Sequence, residues 1–232
     1  RMVQRDRMSD ADAQAALARL SFATGLDALA GASLTIEAAT EMPEVKLPLF
    51  EKIAGVCGDE TILASNTSSI SLTRIAAAVP RPERVIGMHF FNPVPVMQLL
   101  EIVRALQTSD ATYNTACQVA ERLNKTHVTV SDSPGFVVNR ILLPMVNEAV
   151  LSLAEGLASA EEIDVAMRLG ANHPMGPLAL ADLIGLDVCL YVMETLYEQF
   201  GDSKYRPAPL LRKMVDAKYL GRKTGRGFFT YG

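Results

Sequence analysis

Cysteine is scarce. Only Cys57, Cys117 and Cys189 occur, and no two stand in a Cys-x-x-Cys spacing. An odd number of scattered thiols excludes a disulfide framework and a zinc finger or ribbon, and suits reduced thiols in the cytoplasm. No apolar run approaches the ~18 residues of a membrane-spanning helix, so no span is expected. Positive charge is not in excess either. Lys and Arg number 22 against 26 Asp and Glu, a net charge of −4, which excludes a general nucleic-acid binder with a basic surface. Arg1 to Gln14 is charged and Ala-rich with no apolar h-region, so no secretory signal is expected there. What remains is ordinary globular composition, 49% hydrophobic over 232 residues, enough for two modest domains.

The pattern along the chain changes once. Ser9 reads as an N-cap ahead of Ala13, Ala16, Leu17 and Leu20 at helical spacing, and Asp27 to Ala30 as a short helical turn. Leu34 to Ile36 leans to strand. A helix follows Pro43, with Val45, Leu49, Ile53 and Val56 on one stripe and Gly58 as its stop. Strands are predicted at Thr61–Ala64, Arg84–Phe90, Gln98–Val103 and Thr126–Val130, with helices at Leu72–Val79 and Asp110–Leu123 between them. Such alternation predicts an α/β domain with a doubly wound, mostly parallel sheet. After Ser133-Pro134-Gly135 nearly everything reads helical: Ile141–Leu157, a capping box at Ser159 and Glu162, Leu178–Phe200 with Gly185 as a possible break, and Pro209–Tyr219. The domains are therefore placed at 1–133 and 134–232.

Three polar clusters fall where an open α/β sheet places its ligands, at strand ends and at the domain joint. Ser65-Asn66-Thr67-Ser68-Ser69 follows the second strand, and is longer than the one N-cap that Ser69 or Ser71 would supply. His89 ends a strand ahead of Phe90-Phe91-Asn92-Pro93. A hairpin-like return would set Glu101 beside it, as a base with its orienting carboxylate. Asn139 stands on the first turns of the helix after the joint. His127, His173 and the basic run Arg222-Lys223-Thr224-Gly225-Arg226-Gly227 read as structural or solvated.

These strings together resemble one family. Ser-Asn-Thr-Ser-Ser (65–69), His-Phe-Phe-Asn-Pro-Val-Pro-Val-Met (89–97), Ser-Pro-Gly-Phe-Val-Val-Asn-Arg (133–140), Pro-Met-Gly-Pro (174–177) and Gly-Arg-Lys-Thr-Gly-Arg-Gly-Phe (221–228) are similar, in order and spacing, to the 3-hydroxyacyl-CoA dehydrogenases. The resemblance implies a Rossmann-like domain and an all-α carboxyl domain. It also implies NAD-dependent oxidation of an L-3-hydroxyacyl-CoA to the 3-ketoacyl-CoA, in fatty-acid β-oxidation or butanoate metabolism. It makes His89 the general base, Glu101 its orienting carboxylate, and Ser68 and Asn139 the groups that hold the substrate oxygen. Glu41, Lys46, Asn66, Ser68, Asn92 and Lys223 match positions on the dinucleotide, and the helical half matches a dimer-forming domain.

One element of the family pattern is missing. Gly25, Gly31, Gly55 and Gly58 do not form a Gly-x-Gly-x-x-Gly turn, and no strand–turn–helix opening of that kind occurs in these residues. The sequence is accordingly expected to begin partway into the NAD domain, without its phosphate cradle. Residues 1–232 alone are then expected to bind NAD weakly and to oxidise no acyl-CoA. Two other readings stand beside the enzyme: a non-catalytic structural or dimerising chain on the same fold, and a dehydrogenase of free hydroxy acids. The latter would carry a lysine on the interdomain helix where this chain has Asn139.

Overall fold

The computed structural model describes residues 3–5 and 8–232; Arg1, Met2, Asp6 and Arg7, in the charged amino end discussed above, lie outside the described residues. The first helix, α1 (Asp10–Leu17), is capped as expected, with Ser9 accepting the Asp12 amide, but it buries none of its residues. Strand β1 (Leu34–Glu37) leads into α2 (Pro43–Val56), and β2 (Ile62–Ser65) into α3 (Leu72–Ala76). Then come β3 (Val85–Phe90), β4 (Leu99–Arg104), α4 (Asp110–Arg122) and β5 (Thr126–Ser131). The strands lie side by side in chain order, all neighbours parallel except the β3–β4 pair.

The sheet has two buried faces because its residues alternate. Leu63, Val85, Val103 and Val130 pack against α2 and α3 through Phe50, Ile53, Leu72 and Ile75. Ile62, Ala64, Ile86, Met88, Leu100 and Ile102 pack against α4 through Ala116 and Ala120. Gly87 sits where α3 comes closest: a Cβ there would lie 2.8 Å from Val103 Cβ and 3.2 Å from Leu72 Cγ. Any larger residue would push the helix off the sheet.

The second half is all helix, around a core of its own. Its long helix α5 (Val138–Ala154) starts three residues before the predicted Ile141, which puts Pro144 inside it rather than near its first turn. The polar Asn139-Arg140 pair hides the true start from an apolar pattern. Then follow α6 (Ala160–Gly170), α7 (Pro177–Ile184), α8 (Leu186–Phe200) and α9 (Pro209–Asp216). The possible break at Gly185 is real: its φ of 105° is open to glycine and separates α7 from α8.

Two buried carboxylates organise this half. Asp164 accepts the Leu178 and Ala179 amides at 2.8 and 2.9 Å, capping α7 from another helix. A Cβ on Gly176 would fall 2.1 Å from its carboxyl carbon. Asp182 holds the chain end through the Phe228 and Phe229 amides and the Tyr231 hydroxyl, each at 3.0 Å, and Gly221 and Gly227 make room for it. The strings Pro-Met-Gly-Pro and Gly-Arg-Lys-Thr-Gly-Arg-Gly-Phe are thereby explained by packing and capping, without a ligand.

Candidate active site

A cleft of about 520 Å³ opens at the carboxyl ends of β1, β2 and β3. Ala38, Ala39, Thr40 and Glu41 wall it on one side, Asn66 and Ser68 beneath, His89 to Asn92 behind, and Asn139 of α5 on the far side. Of the nine sequence-chosen positions, His89, Ser68, Asn139, Glu41, Lys46, Asn66 and Asn92 line it.

At its back, the antiparallel register sets His89 directly opposite Glu101. His89 Nδ1 lies 2.7 Å from Glu101 Oε2, with Glu101 fully buried and His89 6% exposed. A carboxylate only accepts, so Nδ1 carries the proton and Nε2 is left as the acceptor for chemistry. The other Glu101 oxygen accepts the Val137 and Val138 amides at the start of α5, both at 3.0 Å. Phe91 and Phe136 hold the imidazole between them, with ring centroids 4.6 and 5.5 Å away. The ring is thus locked in orientation and shielded from water on its flanks.

The floor is a polar turn stitched to its neighbours. Asn66 Oδ1 accepts the Phe90 amide at 2.8 Å, tying the turn to the strand that carries His89. Glu41 receives the Thr67 hydroxyl at 2.6 Å, and the Ser68 amide and hydroxyl at 2.5 and 2.8 Å. With its proton on Glu41, the Ser68 hydroxyl presents lone pairs to the cleft. Ser71, not Ser69, caps α3.

Lys46 is 1% exposed, its ammonium paired with Glu37 and 3.3 Å from Ser65 Oγ. Glu41 lies further off at 3.9 Å. Burial pushes the Glu37 carboxyl up, but Lys46, the Ala39 amide and the Ser65 hydroxyl outweigh it and hold the group below its ordinary value. Glu37 carries no motif, and only its place at a strand's carboxyl end marks it in the sequence. Lys223 stands outside the cleft lining: its ammonium lies 2.5 and 2.6 Å from the two Asp187 oxygens at the start of α8. Its basic neighbours are also engaged locally, Arg226 over Tyr219 at 3.9 Å and Arg222 over Tyr231 at 5.3 Å.

Comparison with known proteins places this architecture. Residues 1–133 match the 3-hydroxyacyl-CoA dehydrogenase NAD binding domain, and residues 135–231 match the C-terminal domain of the same enzymes. The probable 3-hydroxybutyryl-CoA dehydrogenase of Bacillus subtilis is 51% identical over 231 residues, covering 100% of this chain and 80% of that protein. The 3-hydroxybutyryl-CoA dehydrogenase of Bradyrhizobium diazoefficiens is 55% identical, over 93% of this chain and 74% of its own length. The crystal structure of (S)-3-hydroxybutyryl-CoA dehydrogenase from Ralstonia eutropha superposes with a TM-score of 0.97 at 55% identity, covering all of this chain and 82% of that one. The alternating sheet, the helical second half and these matches agree, and the chain belongs to the 3-hydroxyacyl-CoA dehydrogenase family of NAD-dependent oxidoreductases.

Proposed function

We propose that this site oxidises a short L-3-hydroxyacyl-CoA, of the 3-hydroxybutyryl class, to the 3-ketoacyl-CoA. The observation that carries the reading is the His89–Glu101 pair, buried at the back of a cleft that Ser68 and Asn139 also face. His89 Nε2 takes the proton of the C3 hydroxyl. Glu101, 2.7 Å from Nδ1, stabilises the imidazolium that results. The Asn139 amide donates to the same oxygen, and the Ser68 hydroxyl can do so once it turns its proton from Glu41 to the cleft, so that the C3 proton is left for His89.

The residues present fit the nicotinamide end of NAD. A polar cleft walled by small residues stands at the carboxyl ends of parallel strands, where such folds take the ring. Asn92, Glu41 and Asn66 would hold it there, with Lys46 behind them; Lys223, outside the lining, would act through α8. Bound NAD supplies the acceptor for the hydride leaving C3. A glycine-rich turn for the pyrophosphate is not among these residues. The test is NADH formation from L-3-hydroxybutyryl-CoA by the chain joined behind a strand–Gly-x-Gly-x-x-Gly–helix unit. Steady turnover supports the reading. Tight NAD binding without turnover would leave a non-catalytic chain on the same fold.

A division at 133/134 accords with β5 ending at Ser131 and α5 starting at Val138. A homodimer through the helical half is supported by two apolar clefts that share Met145, and by Ile141 at 67% exposure. No described helix is long and apolar enough to cross a membrane. Three free thiols support a cytoplasmic setting.

A further inference from the structure

One face of α8 reaches out of the helical half and touches the floor of the cleft. Tyr191 donates its phenol proton to the Glu41 carbonyl at 3.2 Å. Its oxygen lies 3.3 Å from Ser69 Oγ, and with the phenol proton committed, that bond runs from Ser69 to Tyr191. Two turns further, Gln199 Nε2 donates to the Ser69 carbonyl at 3.2 Å. Residues eight apart on a helix share a face, and here both grip the turn that carries Ser68.

We infer that Tyr191 is a positioning residue: from the helical domain it pins the Glu41 backbone to the Ser69 turn, and so sets the Ser68 hydroxyl in the cleft. The connection is continuous. Tyr191 holds Glu41 by its carbonyl, and the Glu41 carboxylate holds Ser68 by both amide and hydroxyl. The Glu41 side chain is 34% exposed, and the phenol ties its backbone to the helical half, beside the bond from Gln199 to Ser69. Asp187, one turn earlier on α8, is fastened by Lys223. This gives Lys223 a part in the site through the helix that presents Tyr191.

The role in catalysis rests on the reading proposed above, whereas the tie itself can be measured without turnover. The reporter is the Ser68 amide, whose proton goes to Glu41. In Tyr191→Phe, which keeps the ring and removes the hydroxyl with both its hydrogen bonds, hydrogen exchange at Ser68 is expected to rise about 3- to 10-fold, with Tm lowered by no more than about 2–4 °C. Tyr197→Phe is the control: the same helix, 41% exposed like Tyr191, and expected to leave Ser68 exchange unaltered. In the chain joined behind the glycine-rich unit, Tyr191→Phe should lower kcat by a similar factor and leave KM for the acyl-CoA alone. Unchanged Ser68 exchange in Tyr191→Phe overturns the tie. Faster exchange with unchanged kcat overturns its role in positioning. Absence of turnover before any substitution overturns the functional reading, and leaves the exchange result to decide the tie.

Discussion

Glu101 binds Val138 as well as His89. One oxygen takes the amide that opens α5, at 3.0 Å, while the other holds the imidazole at 2.7 Å. The dyad is thereby fastened to the helix on which the carboxyl domain begins. A helix N-terminus favours an anion, and the three hydrogen bonds fix both oxygens of the buried carboxylate in place.

His89→Gln is expected to cut kcat by ~10²–10⁴ with little change in substrate affinity, since the imidazole acts on a proton and not on binding. Glu101→Gln should lower kcat too. The double variant should be little worse than the worse single, because the two act as a unit. Steady-state kinetics of the joined chain checks this, and additive losses would assign Glu101 a separate task.

Val138→Pro removes one donor to Glu101 and disfavours the αR backbone of Val137 before it, so the opening of α5 is loosened from the carboxylate. The expected outcome is a lower kcat with helical content retained by circular dichroism. An unaltered kcat would mean that the β3–β4 register alone suffices to hold the carboxylate.

Acid sensitivity should trace to Glu37. Its pKa is lowered in the fold, so the stability it contributes is present above the unfolded value near 4.5 and is lost as pH falls through the folded one. Denaturant midpoints should fall over that window, and Glu37→Gln should flatten the acid limb. At neutral pH the same change strands the Lys46 ammonium in a site 1% exposed, at a cost of about 3–5 kcal/mol. Equal neutral-pH midpoints for both proteins would show that Ser65 and Glu41 suffice for Lys46.

Residues 1–232 by themselves are expected to show no NADH formation and weak NAD uptake by calorimetry, since a few polar contacts at the ring end cannot replace a phosphate cradle. Joining the glycine-rich unit should recover both together. Micromolar NAD binding by the 232 residues alone would contradict this.

The helical half is expected to pair with a second copy. Sedimentation at micromolar concentration should give a dimer, and Ile141→Glu, in the middle of the apolar cleft beside Val137 and Met145, should give a monomer. A monomeric unsubstituted protein would remove the pairing.

Much of this was legible in the residues. Helix starts followed from Ser9 and Ser159, and the strands from short β-rich runs between turn residues, because capping and side-chain alternation are local and act within a few positions. His89, Glu101, Ser68 and Asn139 were visible as chemistry at strand and helix ends. What the order of residues by itself does not contain is distance across the fold. The pairing of Glu37 with Lys46 crosses from strand to helix, and the bond from Tyr191 to Glu41 spans 150 positions. Neither Glu37 nor Tyr191 stands in a motif. Lys223 shows the converse: a basic residue in a recognisable string, which tertiary packing delivers to Asp187 and not to the cleft wall. That Gly176 makes room for Asp164, and Gly221 and Gly227 for Asp182, was likewise decided only when α6, α7 and the chain end came together, because a missing Cβ has meaning only against the atom that fills its place.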